Sequence, residues 1–150
     1  MAAGIFGDAI DWEPMRFRLG KWWFLQPARV VMAPDGHIWL HPNGKLWRDD
    51  YARADIWLRA LIMHELTHVW QHQQGVRLPL RRHPFCRYGY AFEPGRPFRA
   101  YGLEQQGELV RHAYLLRQGV KLKERPNLAA YMDTLPFQPA GEASAPPALV

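Results

Sequence analysis

Leu61-Ile62-Met63-His64-Glu65-Leu66-Thr67-His68-Val69-Trp70 is the stretch on which the reading of this sequence turns. It sets His64-Glu65-x-x-His68 inside an apolar run. As a helix over Ile56 to Gln74 it places the two histidines one turn apart on one face, about 40° around the axis and about 6 Å along it, so both imidazoles can reach one ion. Neutral imidazole suits Zn²⁺, and a catalytic zinc takes three protein ligands and leaves the fourth position to water. Glu65 is expected to point toward that position, where a carboxylate can take a proton while the metal polarises a substrate carbonyl. Between Ile56 and Trp70 the only charged or strongly polar side chains are Arg59, His64, Glu65, Thr67 and His68, so the helix reads as buried nearly all round. Two histidines and a glutamate are costly to bury unless something pairs with them, and a metal does so.

Upstream, Asp49, Asp50 and Asp55 offer N-caps, and Gly75 after Gln74 offers a stop, which frames the helix from Tyr51 or Asp55 to Gln74. Arg29 to Ala33 and His37 to His41 are short β-type runs separated by Pro34-Asp35-Gly36, a hairpin pattern. Trp22-Trp23-Phe24-Leu25 is expected to pack on the core, and Met1 to Pro14 to be a poorly ordered lead-in. Downstream, Val76 to Tyr101 carries four prolines, Pro79, Pro84, Pro94 and Pro97, and is expected to form a loop-rich cleft wall or lid rather than a long helix. Leu103 to Arg117 has the spacing of a second amphipathic helix ending near Gly119, and Asn127 to Leu135 reads as a short third one. The expected organisation is a lead-in over 1–28, one domain over 29–137 and a flexible tail over 138–150.

One hundred and fifty residues, 48% hydrophobic with seven tryptophans, suffice for one domain with a real core. The first twenty residues carry Asp8, Asp11 and Glu13 without a continuous apolar segment, so no secretory signal peptide is read. No apolar run reaches the roughly 18 residues of a membrane span. Cys86, the single cysteine, excludes an internal disulfide and reads as a packed small side chain. The net charge of +5 invites a nucleic-acid reading, and the basic residues cluster among aromatics between Arg77 and Arg99. No nucleic-acid motif accompanies them, and the expectation is no nucleic-acid partner.

A third metal ligand has to come from elsewhere in the chain. Positions 71 and 74 are Gln71 and Gln74, which excludes the metzincin pattern of a third histidine six residues after the second. Glu104 and Glu108 lie on the second helix, and an i,i+4 pair can serve both roles a site needs: one carboxylate on the metal, the other on the far ring nitrogen of a ligating histidine. His72 and His112 read as cleft or structural histidines.

Glu104-x-x-Gly107-Glu108 resembles the gluzincin pattern. That resemblance implies Glu104 as the third metal ligand, Glu108 as the group supporting a histidine, and Gly107 as the small residue that lets the two helices approach. Together with Ala33 to Leu40, Leu61 to Gln73, Gly95 to Phe98 and Tyr101 to Glu108, the sequence resembles the small Vgr-related and Rhs-associated bacterial metallopeptidases, over roughly Arg29 to Arg117. Domains of this type also occur at the C-terminus of type VI secretion VgrG spike proteins, where they act as toxic effectors.

The resemblance implies an α+β, zincin-like minimal metallopeptidase, with a small N-terminal hairpin or sheet packed on the H-E-x-x-H helix and a second, ligand-bearing helix. It implies a zinc peptidase with Glu65 as general base, and Tyr88, Tyr90, Tyr101 and His112 as candidates for the oxyanion or substrate. It also implies substrate pairing along the edge of the strand at His37 to His41. The expected setting is the producing cell's cytoplasm with export to a target periplasm, and the expected partners are a peptide or protein substrate, a secretion spike and an immunity protein. The alternative reading is a catalytically idle zinc-bound adaptor that docks a partner through its basic aromatic loop.

Overall fold

The computed structural model describes residues 1–81 and 89–137. Two long helices, α2 (Ile56–Gln73) and α4 (Leu103–Arg117), pack against each other and form its centre. The Asp55 carboxylate caps α2 by accepting the N–H groups of Trp57 and Leu58, each at 3.0 Å. The helix closes on Gly75, whose φ of 82° is the left-handed conformation this kind of stop requires. The Gly75 N–H bonds the His72 carbonyl and the Val76 N–H bonds the Gln71 carbonyl, which together make a Schellman stop. α4 ends the same way at Gly119, and at its start the Gln105 amide oxygen accepts the Gly102 N–H at 3.0 Å.

α2 lacks an amphipathic pattern because it is surrounded. Ile62, Met63, Leu66 and Val69 are buried from the same helix as His64, Glu65 and His68. Leu109, Val110, Ala113 and Tyr114 supply the α4 side of the core, and Tyr131 comes from the short α5 (Leu128–Thr134), capped by Asn127. Trp70, Phe98 and Phe137 meet edge to face, with Phe6 joining at 4.7 Å from Phe137.

A three-stranded sheet lies beside this pair. β2 (Val31–Met32) and β3 (Ile38–Leu40) form the antiparallel hairpin read from the sequence, with Val31 opposite Leu40. Gly36, at φ 83°, turns it and lies so near the His72 ring that a Cβ would sit 2.8 Å from it. The third strand, β1 (Phe17–Leu19), pairs parallel to β3, with Phe17 opposite Ile38. The order is therefore β1-β3-β2. β3 is central and hydrogen-bonded on both sides, so the expected edge pairing of substrate along His37 to His41 has no free edge to use; the edges belong to β1 and β2.

Two further expectations are corrected. Met1 to Pro14 is not an unpacked lead-in, because α1 (Ala3–Phe6) buries Ile5 and Phe6 completely and Ile10 follows them into the core. Phe17–Leu19 adds β1 to the sheet as well. Trp22 to Leu25 do not pack on the core; all four are exposed. The Val76 to Tyr101 section contains the one-turn α3 (Leu78–Arg81) and a 3₁₀ turn at Phe98–Ala100, and no long helix among its described residues. Tyr88, Cys86 and the 138–150 tail lie outside the described residues. Among the described residues no helix is long and apolar enough to cross a membrane.

Candidate metal centre

His64 and His68, one turn apart on α2, meet Glu104 in the first turn of α4. The His64 Nε2 and His68 Nε2 atoms are 3.1 Å apart, and the Glu104 Oε2 atom lies 3.2 Å from the first and 3.3 Å from the second. All three residues are buried. A tetrahedral zinc with bonds of ~2.0–2.1 Å holds its donors ~3.3–3.4 Å apart, so this nearly equilateral triangle is the face of such a tetrahedron to within a few tenths of an ångström. Among the described residues these three form a group of His, Cys, Asp and Glu side chains whose donor atoms all lie within 4.8 Å of one another. The donor set of two imidazoles and a carboxylate fits a divalent transition metal and suits zinc.

The far ring nitrogens are also held. Glu108 Oε1 lies 3.0 Å from His64 Nδ1, and Gln71 Oε1 lies 2.8 Å from His68 Nδ1. When both rings are neutral, with each Nδ1–H donating to its oxygen, both Nε2 lone pairs face the centre of the triangle. Gln71 is fixed in turn, its amide nitrogen donating to the Leu103 carbonyl at 3.1 Å and to Gln106 Oε1 at 2.8 Å. Gln106 donates to the Tyr101 carbonyl at 2.8 Å. Sequence reasoning weighed Gln71 only as a ligand and missed this supporting role. The available signal was its place three residues after His68, on the same helical face.

Gly107 lets the helices approach. A Cβ there would lie 2.7 to 2.8 Å from three atoms of the His64 ring. That ring cannot swing aside without breaking its contacts with Glu104 and Glu108. Gly107→Ala is therefore expected to destabilise the protein, since overpacking costs about 1–3 kcal/mol while the gain in helix propensity is about 1 kcal/mol. Metal affinity should fall with it. Thermal unfolding and a metal titration of the variant check both effects.

Electrostatics follow from this crowding. Burial pushes the His64 imidazole down, but hydrogen bonds to Glu104 and Glu108 and the charges of Glu65 and Glu104 outweigh it and hold its pKa at about 9. Metal-free, His64 is a cation at neutral pH, occupying the place of positive charge among three carboxylates. For Glu108, burial pulls upward, yet the hydrogen bond and charge of His64, with Arg111 and His112, bring it below the usual carboxylate range.

Glu65 is buried between the two histidines in sequence. Of the other candidates, Tyr90 and His112 form a connected pair: the Tyr90 hydroxyl lies 2.6 Å from His112 Nδ1 and 2.8 Å from the Tyr131 hydroxyl. His112 Nε2 is 3.8 Å from Glu108 Oε2, which puts both residues beyond Glu108 as seen from His64. Burial above all, joined by Arg125, Arg111 and His64 and opposed by the charge of Glu108, lowers the His112 pKa to about 4, so the ring is neutral at neutral pH. Burial and the Tyr131 hydrogen bond raise that of Tyr90. Tyr101 is used otherwise: its hydroxyl accepts the Glu93 N–H at 3.1 Å and the Arg96 guanidinium covers its ring at 4.5 Å. His72 packs against Gly36.

No protein-family model matches the chain. Over 125 residues it is 38% identical to the type VI secretion system spike protein VgrG2b of Pseudomonas aeruginosa, an alignment covering 77% of this chain and 12% of that protein. The chain thus spans a small part of the spike protein's length. The solved structure of the effector domain of Pseudomonas aeruginosa VgrG2b superposes with a TM-score of 0.69 at 34% identity, covering 78% of this chain and 69% of that one. Sequence and fold agree over most of both domains, and the chain belongs to the family of the VgrG2b effector domain.

Proposed function

We propose that this chain is a zinc-dependent peptidase of minimal zincin-like fold, acting as an antibacterial effector associated with type VI secretion. One observation carries the reading: three buried donors at tetrahedral spacing, on the H-E-x-x-H helix and its neighbour, with the glutamate of the motif beside them. His64, His68 and Glu104 hold the ion, Glu108 and Gln71 orient the two imidazoles, and Glu65 is the general base. Bound zinc supplies a Lewis acid that acidifies a water molecule and polarises the peptide carbonyl. Glu65 would take a proton from the attacking water as its oxygen bonds the carbonyl carbon, and would pass that proton to the amine nitrogen as the C–N bond breaks. Membership in a spike-protein effector family supports delivery by a secretion spike to a target periplasm, where the substrate is a peptide or protein and a producing cell needs an immunity partner.

The test is elemental analysis of the purified chain together with hydrolysis of a peptide library before and after chelation. About one zinc per chain, with cleavage lost on chelation and restored by zinc, is the expected result. A chain that binds no zinc when offered it, or cleaves equally after chelation, would end the proposal.

A pH dependence follows from His64. Its folded pKa is raised, so in the metal-free protein its stabilising contribution is complete below about 6.5 and is lost as pH rises through about 9. Zinc must displace that proton, and its affinity should rise by roughly tenfold per pH unit on the way up to about 9. The thermal shift on adding zinc should therefore widen from slightly acid to mildly alkaline pH, and a shift independent of pH would contradict the assignment.

A further inference from the structure

The loop between β1 and β2 inverts the usual order of a protein surface. From residue 21 to 30 every residue is exposed except one, and that one is the polar Gln26. Phe24 is 76% exposed, Leu25 61% and Trp23 43%, with Trp22 beside them. Four adjacent large apolar side chains held in water need an explanation, because scattered exposed residues are ordinary and contiguous ones are not.

The loop is built to present them. The Gln26 amide oxygen accepts the Trp22 N–H at 2.9 Å, and its nitrogen donates to the carbonyls of Val30 at 2.9 Å and Trp39 at 3.4 Å, tying the loop base to the central strand. Lys21 donates to the Phe24 carbonyl at 3.1 Å, while Gln26 and Val30 bond the Trp23 and Pro27 carbonyls. The Trp23 and Phe24 carbonyls at the tip are thus bonded within the loop, which holds its shape while the side chains point outward. In the chain on either side of the apolar tip the charge has one sign. No Asp or Glu occurs between Glu13 and Asp35, whereas Arg16, Arg18, Lys21 and Arg29 all fall there and are exposed.

We propose that residues 21–30 form a membrane-docking loop that seats Trp23, Phe24 and Leu25 in the interfacial layer of an anionic lipid bilayer. Tryptophan favours that layer, apolar neighbours add buried area, and Lys21 and Arg29 lie where headgroup phosphates would be. Each such cation strengthens binding to an anionic surface roughly fivefold. The element joins the two edge strands β1 and β2, shares no residue with the candidate metal centre and does not depend on peptidase activity.

The experiment is co-sedimentation of the full chain with vesicles of equal parts phosphatidylglycerol and phosphatidylcholine, and with phosphatidylcholine alone, with gel filtration in the absence of lipid. Binding to the anionic vesicles, about tenfold or more above the neutral ones and weakening with added salt, is expected. The triple variant Trp23→Ser, Phe24→Ser, Leu25→Ser should lose at least about tenfold. The single variant Phe24→Asp, at the most exposed position, should lose severalfold with an unchanged melting temperature, which separates docking from folding. Absence of binding by the wild type, or full binding by both variants, would overturn the proposal. So would a lipid-free dimer that either variant converts to monomer, since the tip would then cover a second copy.

Discussion

Glu65→Gln is expected to keep the fold and the zinc and to lose about 10²–10⁴-fold of peptidase activity, the usual worth of a positioned general base. The substitution is nearly isosteric, and Glu65 contributes no atom to the triangle of donors, so its removal leaves the three metal-facing atoms where they are. The carboxylate is nonetheless buried and close enough for its charge to raise the His64 pKa. A charge kept in that position at such cost is an asset to proton transfer and none to a purely structural site. The measurement is kcat/KM on a cleaved peptide beside zinc content by elemental analysis. Expressed into the periplasm of a susceptible bacterium, the same variant should be harmless where the wild type is toxic. If zinc stays and activity or toxicity stays with it, the peptidase mechanism is wrong and a metal-bound adaptor becomes the leading reading.

Glu104→Ala should weaken zinc binding by more than about 100-fold, and Glu108→Ala by about 10–100-fold, the range for groups that only orient a ligand. The asymmetry rests on geometry. Glu104 faces both Nε2 atoms, so its loss removes one corner of the triangle. Glu108 touches His64 on the other side of the ring, so its loss frees that imidazole to rotate and to change tautomer, with all three donors still present. Competition against a chromophoric chelator ranks the two variants, and the opposite order would exchange their roles.

How far the sequence went is clearest along α2. Its span, its Asp55 cap and its Gly75 stop depend on neighbours within a few residues, and the one-turn spacing of His64 and His68 is fixed by helical geometry alone. The β2–β3 hairpin was legible for the same reason, since Pro34-Asp35-Gly36 chooses a turn whatever surrounds it. The third strand was not legible: β1 pairs with β3 across about twenty residues, and nothing local to Phe17-Arg18-Leu19 announces a partner. Nor was the fate of the apolar stretches. Ile5 and Phe6 are core while Trp22 to Leu25 are surface, although the latter are the longer run of large apolar side chains, because burial is assigned by what the rest of the chain leaves uncovered.

The same division runs through the candidate site. The sequence by itself determined that two imidazoles share a face of one helix and that Glu104 and Glu108 share a face of another, because both are properties of the helical repeat. Only the tertiary structure decided which carboxylate lies between the two Nε2 atoms, that Gln71 rather than a charged group holds His68, and that Tyr90 and His112 join Glu108 while Tyr101 turns to Glu93. Those outcomes depend on the separation of α2 and α4, set to within an ångström by Gly107 against the His64 ring, and helical periodicity carries no information about how closely two helices pack.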